Sequence, residues 1–474
     1  MHLKRLCGLV AGGLIFAQPV SAQDFDRTGW FADLEQMRDA MSVGYANMEW
    51  AASERQSLKT AWDTAYAAVG TSTDDASART ALTRFASSFA DGHVSVRWPA
   101  AAVQTGAVGP ASPCAGLAPG GAGDRQGAFP SMPDYEPIPG DDSAILAAGF
   151  VTVDGKRFGV LRIPAFGQFA FPEICNGIVA GRGIGSDCDE TCLEELEKAA
   201  HAAFVAIATR QLRALAAREP DALIVDLARN GGGDDSSEAI ARMVTRRPLR
   251  SARIGMMRTP AWTAKLDSDI EELTAMRANL PAADRATVDG LIAQMSAARD
   301  ETRTPCDRSP MWRDEPVACS QLVETGLSAT GWTNGHDADQ VRGKPWEGLT
   351  FSLASYPYEA GIWDGPLYVV VDQGSASSAE QFASVLRDND AAVIIGAPSF
   401  GAGCGHWLGG EPVRLSHSGG EFSMPDCVRY RADGANEVGG IVPDVLIPLR
   451  NNDTRQQRTA RMRAALASLT ITRP

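Results

Sequence analysis

The chain has 474 residues, 44% of them hydrophobic, with no bias of the kind that prevents a packed core. Two or three domains of ordinary size, about 100–200 residues each, fit that length. The net charge of -14 argues against nucleic acid and anionic membrane surfaces as partners, since both require basic patches.

The N-terminus carries Lys4 and Arg5, an apolar stretch from Leu6 to Ala17, and then Pro19-Val20-Ser21-Ala22. This is the pattern of a secretory signal peptide over residues 1–22, cut after Ala22. The mature protein is therefore expected to be exported, periplasmic or secreted. No other stretch reaches the ~18 consecutive apolar residues of a membrane span. Once Cys7 is removed with the leader, eight cysteines remain, and an even number in an exported chain predicts four disulfides. About 105 pairings are open in principle. Proximity favours Cys306–Cys319 and Cys404–Cys427, with Cys114, Cys175, Cys188 and Cys192 pairing among themselves. A zinc site is the weaker reading, because no CxxC pair occurs and no His stands at ligand spacing.

Residues 23–95 read as an N-terminal helical domain. Trp30, Leu34, Met37 and Met41 share one helical face, and Leu82, Phe85 and Phe89 share another, with Gly92 as the expected C-cap. His93 follows at once. Val94, Val96 and Trp98 then alternate with Ser95 and Arg97, as in a strand. A histidine at such a corner can project into a cleft. Residues 96–148 are rich in Gly, Pro and Ala and read as a long loop, too short and too Pro-rich for an inserted peptide-binding domain.

From Gly149 strands and helices alternate. Asp154-Gly155 marks a hairpin, Gly159 to Ile163 a strand, 167–189 a loop, Glu190 to Arg218 a long helix, and Ala222 to Asp226 a buried strand. That last strand runs through Leu227-Ala228-Arg229-Asn230 into Gly231-Gly232-Gly233, ahead of a helix at about Ser236 to Val244. Glycine accepts positive φ and lets a ligand approach the backbone, so this turn is suited to an anion or an oxyanion. A phosphate loop fails for want of a lysine and of the GxxxxGK[ST] spacing, and a dinucleotide fingerprint fails for want of GxGxxG. Residues 149–250 and 351–453 read as two parts of one core. Between them, 251–350 is an insertion with helices at about Trp262 to Asn279 and Asp284 to Arg299.

Leu367 to Gly405 is the central stretch: strand, tight turn, helix, strand, loop. Ser375, Ser377 and Ser378 cluster where the first strand hands over to the helix. Serine is a preferred helix cap. It is also well placed there to attack a carbonyl, because the helix start directs free N–H groups and the positive dipole end at one spot. Glu437 then lies in a Gly-rich turn, and 454–474 reads as a terminal helix and tail.

Four separated blocks carry a resemblance: FADGHVS, IVDLARNGGG, DQGSASSAE with IIGAPSFGAG, and ANEVGGIVPDV. In these and in their order the chain resembles the S41 superfamily of serine peptidases, over most of residues 30–450. That superfamily includes the tail-specific C-terminal processing proteases and the tricorn core protease. The resemblance implies an α/β fold with a crotonase/ClpP-like core of ββα units, an N-terminal helical domain and a helical insertion. It implies an endopeptidase acting on peptide or unfolded protein, with no cofactor and no metal. Oligomeric state is left open.

Carried over residue by residue, the family nucleophile falls on Ser377, three residues before Glu380. Tail-specific members have a lysine base within TFGKG. The matching segment here is Ser399 to Gly403, with Ala402 at the lysine position, which rules out a Ser–Lys dyad there. His93 and Glu437 match the His and Glu of the tricorn-type branch. The serine that branch places beside its His is Gly92 here, and Ser95 is the substitute nearest in sequence. The oxyanion donors would be the N–H groups of Gly232 or Gly233, and of Ser378. His406, four residues after Ala402, is the rival base. A serine hydroxyl needs such a base near pH 7, and Glu437 would hold the imidazole, directly or through a relay. The alternative is a catalytically inactive binding protein of the same fold, taking a peptide or a small apolar ligand.

Overall fold

The computed structural model describes residues 25–99, 112–114, 124–125, 127–324, 326–332, 341–408, 411–450 and 452–471. The expected leader, with Cys7, and much of the expected 96–148 loop lie outside them.

Four helices open the described chain: Arg27–Gly44, Met48–Glu54, Leu58–Thr71 and Asp75–Ser87. Their apolar stripes meet, and Trp30, Leu34, Met37, Met41, Leu82, Phe85 and Phe89 are buried in one cluster. The fourth helix ends at Ser87, short of the expected Gly92 cap. The hydroxyls of Ser87 and Ser88 donate back to the carbonyls of Thr83 and Phe85. Ala90 takes φ 50°. Asp91 turns inward and accepts from Tyr45 and Asn47. A polar anchor, rather than a glycine, thus takes the chain out of the helix. β1 (Ser95–Arg97) follows and pairs antiparallel with β11 (Glu421–Ser423), which pairs in turn with β10 (Val413–Arg414).

β2 (Tyr135–Pro137), β3 (Ala148–Val153) and β4 (Lys156–Arg162) form an antiparallel meander. The β3–β4 turn is Asp154-Gly155 at φ 50° and 77°, the two positive values that a type I′ hairpin needs. β5 (Ala222–Asp226), β8 (Leu367–Val371), β9 (Val393–Gly396) and β13 (Val445–Leu446) continue the sheet in parallel. The seven-stranded order is β13-β9-β8-β5-β4-β3-β2. Successive residues of β5 enter opposite cores: Leu223 and Val225 one, Ala222 and Ile224 the other. The helices Glu190–Ala216, Ser236–Met243 and Ser378–Asp388 cover the first face, and the C-terminal helix Arg455–Ser468 covers the second. Burial on both faces is why the central strands read as unbroken apolar runs. The mixed α/β class expected from the sequence is the class of the structure, with β3, β4 and the long helix after them giving a ββα unit.

Two elements depart from the sequence reading. Pro172–Arg182 is a helix inside the stretch expected to be loop, with proline in its first turn and Gly183 left-handed at φ 65° after its end. β6 (Arg253–Met257) lies in the stretch expected to be an insertion, yet it pairs with β12 (Cys427–Tyr430) and with β7 (Leu322–Val323). The expected helical pair is present as Pro260–Arg277 and Ala282–Thr302, with Leu273, Leu280, Val288, Leu291 and Met295 buried. Beyond it, the buried guanidinium of Arg308 donates to the carbonyls of Met41, Ser42 and Tyr45 at the C-terminal end of the first helix. That is where a cation is favoured. No described helix is long and apolar enough to cross a membrane.

The disulfides are Cys114–Cys175, Cys188–Cys192, Cys306–Cys319 and Cys404–Cys427. Replacing both Cys404 and Cys427 by serine is expected to cost about 3 kcal/mol, the chain-entropy value for a loop of this size. A denaturant midpoint compared with that of the parent chain measures it.

Candidate active site

Three serines crowd the turn after β8, and the structure separates them. Ser375 is fully buried, its hydroxyl accepting from Asp372 N–H (2.9 Å) and donating to the Leu227 carbonyl (2.8 Å). Ser377 and Ser378 instead line a cavity of about 550 Å³. Ser377 sits at φ 54°, ψ −117°, the conformation of the first central residue of a type II′ turn, usually left to glycine. Its N–H donates to Glu380 Oε2 (2.9 Å), and the helix begins at Ser378. Glu380 is fully buried. It also accepts from Gly401 N–H (2.8 Å), Ala402 N–H (2.9 Å) and the Ser399 hydroxyl (2.5 Å). Burial, and then the nearby Glu437, raise its pKa, while these donors act to lower it.

The glycine turn packs directly on that serine. Gly232 has φ 105°, and a Cβ there would lie 2.7 Å from Ser377 Cβ and 2.8 Å from the Ala376 carbonyl oxygen. At Gly233, φ 149°, a Cβ would lie 1.6 Å from the Phe166 carbonyl oxygen. Both positions require glycine for lack of room as well as for backbone angle. Asn230 organises the turn, donating to the Ile163 carbonyl (2.9 Å) and accepting from Gly232 N–H (2.8 Å). The Gly232 N–H is therefore engaged. Of the two glycines named from the sequence, Gly233 is the one that lines the cavity, together with Ser378.

His93 lines the same cavity from the N-terminal region. Its N–H donates to Asp91 Oδ1 (3.0 Å), which fixes the corner. Its Nδ1 stands 2.7 Å from the Ala402 carbonyl oxygen. A carbonyl only accepts, so Nδ1 carries the proton and Nε2 is left with its lone pair. The position of the lost lysine thus supplies a backbone acceptor for the imidazole. Burial lowers the His93 pKa; the Ala402 carbonyl raises it in part, and the Arg429 charge lowers it further. His406 also lines the cavity, its ring edge-on to that of His93 at 5.4 Å between centroids, with its pKa lowered by burial and then by His93. A Cβ on Gly92 would fall 2.4 Å from the Phe400 ring, so that ring occupies the side where a serine would project. Ser95 is exposed on β1, opposite Ser423.

Glu437 makes its hydrogen bonds to Arg429 and Ser384 and not to His93. It is buried, accepting from Arg429 Nε (2.8 Å) and Nη2 and from the Ser384 hydroxyl (2.8 Å). The carboxylate therefore meets a guanidinium where the sequence reading had it hold the imidazole. Arg429 reaches the cavity wall, as do Asp234 and Asp235. Burial pushes Asp235 up to about 7, with Asp234 and Glu238 adding to the rise. Burial likewise pushes Asp91 up to about 6, against the hydrogen bonds it accepts.

Residues 157–447 match the model of peptidase family S41. The chain belongs to this family. Two solved structures share its fold. Mature CPAF complexed with lactacystin is 15% identical with a TM-score of 0.55, over 93% of this chain and 98% of that one. Mature CPAF alone is 15% identical with a TM-score of 0.52, over 94% and 99%.

In this S41 chain the sequence singled out Ser377, His93, Gly233 and Ser378, and the fold gathers all four around one cavity. It gave no role to Glu380, Asp91 or Arg429. One signal for Arg429 was present: in β12 it stands two residues from Cys427, on the same face as a disulfide cysteine. Gly405 is a further dependency. At φ 78° a Cβ there would lie 2.7 Å from His93 Nε2. A Gly405→Ala variant is expected to displace the ring and, with His93 as the base expected from the sequence, to lose about 10²-fold in rate, the scale of a 1 Å misplacement. Its labelling by a serine-directed probe, against the parent chain, measures the loss.

Proposed function

We propose that the protein is an exported serine peptidase that hydrolyses peptide bonds of peptide or unfolded protein substrates, with Ser377 as nucleophile and His93 as base. The observation that carries this reading is the His93–Ala402 hydrogen bond at the wall of the cavity that Ser377 also lines. It leaves Nε2 as a proton acceptor in a cavity that also holds the serine. Ser377 Oγ attacks the scissile carbonyl as its proton passes to His93 Nε2. The N–H groups of Gly233 and Ser378 receive the developing oxyanion. The imidazolium then protonates the leaving amine, and water, deprotonated in turn by His93, releases the acyl group from Ser377.

The test is a fluorophosphonate probe on the oxidised protein. Labelling of the parent chain, lost in Ser377→Ala and strongly reduced in His93→Ala, is expected. Labelling retained in Ser377→Ala, or undiminished in His93→Ala, would overturn the assignment. Separate replacement of His406 distinguishes the two histidines.

The pH dependence follows from the environment of His93. Its lowered pKa keeps the imidazole neutral at pH values where a free histidine, near 6.5, is already protonating. The acid limb of the labelling rate is therefore expected below about pH 6.5, with reactivity gained as pH rises through it. A midpoint at or above neutrality would contradict this.

A further inference from the structure

A peptide unit is planar and trans, so its C=O and its N–H point in opposite directions. The unit joining Ser377 to Ser378 holds the Ser377 carbonyl at one end and the N–H assigned above to the oxyanion at the other. Arg429 is at the carbonyl end: Nη2 donates to the Ser377 carbonyl (3.2 Å) and to the Gly403 carbonyl (2.9 Å). Nη1 donates to Gln381 Oε1 (3.0 Å), and Nε donates to Glu437 Oε1 (2.8 Å). Gln381 and Ser384, which donates to Glu437, lie on the helix that starts at Ser378. Arg429 and Glu437 are both almost wholly buried, so neither samples alternative partners in water.

We infer that Arg429 is a positioning residue for the oxyanion site, aiming the Ser378 N–H by gripping the Ser377 carbonyl, and that Glu437 acts through Arg429 and not through His93. The inference rests on the serine-peptidase reading. A cation on the carbonyl also polarises the shared amide and makes its N–H a better donor. Through Gly403 the same guanidinium steadies the segment whose Ala402 carbonyl holds His93. Glu437 compensates the buried charge and sets the tilt of the fork, a task an amide oxygen can in part perform.

The experiment compares fluorophosphonate labelling rates of the parent chain with those of Glu437→Gln, Arg429→Lys and the double variant Arg429→Met with Glu437→Met. The double variant removes both charges together, so no unpaired ion is left inside. It is expected to fold and to label about 10²-fold more slowly, the scale of one lost oxyanion donor. Arg429→Lys keeps the charge but lacks the fork, and is expected to lose at least tenfold, which decides the matter should the double variant fail to fold. Glu437→Gln is expected to lose no more than about tenfold, against the ~10⁴ that follows when the carboxylate orienting a triad histidine becomes an amide. The ³¹P resonance of the phosphonyl adduct gives a readout that a merely structural role would not move. In Arg429→Lys it is expected to shift toward that of the urea-unfolded adduct. Parent-like rates in the arginine variants, or a 10⁴-fold loss in Glu437→Gln, would overturn the inference alone. Failure of the parent chain to label would overturn the peptidase reading, and the inference with it.

Discussion

Replacing Ser377 by alanine is expected, on the proposed serine-peptidase reading, to lower turnover by about 10⁴-fold or more, since neither the oxyanion donors nor substrate binding replaces a lost nucleophile. The fold should be untouched, and the two inactive variants Ser377→Ala and Ser377→Gly carry a second, thermodynamic prediction. At φ 54°, ψ −117° the residue occupies a region that side chains resist. Glycine relieves that strain, of order 1–3 kcal/mol, while giving back about 0.5–1 kcal/mol in chain entropy. The glycine variant is thus expected to be roughly 1 kcal/mol more stable than the alanine variant by denaturant titration. Equal stabilities would mean that the turn holds the serine without strain.

Replacing Glu380 by alanine is expected to be the most destabilising single change at the site. Its carboxylate is the common acceptor for the Ser377, Gly401 and Ala402 N–H groups and the Ser399 hydroxyl. Losing it leaves several donors unsatisfied in the interior, at about 1–3 kcal/mol each. Relaxation of the turn recovers part of this, and a net loss of about 4 kcal/mol is expected. Reactivity should fall as well, because Glu380 links the turn bearing Ser377 to the segment whose carbonyl holds His93. Glu380→Gln, which retains one acceptor, should fall between the two. Equilibrium unfolding and probe labelling on the same samples would show whether the two losses travel together.

Much of this arrangement could be read from the chain. The Asp154-Gly155 hairpin, the apolar runs of β5 and β8, and the glycine and serine turns after them are local features with local causes. His93 was singled out because its sequence context placed it at a corner, and it does line the cavity, although the corner is made by Asp91 turning inward and not by a glycine cap. What stayed hidden depends on partners far apart in sequence. Strand β6 has its pairing surface on β12, so nothing within Arg253–Met257 announces it. Glu437 read only as a partner for the imidazole, directly or through a relay, and it is the fold that delivers Arg429 to it. The engaged N–H of Gly232 is likewise invisible until Asn230 is seen beneath it.

β1 bears on how the reaction could be divided between pieces of the chain. The part that matches the family begins at residue 157, whereas His93 lies upstream and is docked through β1 on β11. On the proposed reading, a chain begun at residue 100 would keep all seven strands of the main sheet and own a nucleophile without its proton acceptor. Mixing it with a separately made residue 23–99 segment would then be a complementation assay, in which activity reappears only as fast as one short antiparallel ribbon re-forms.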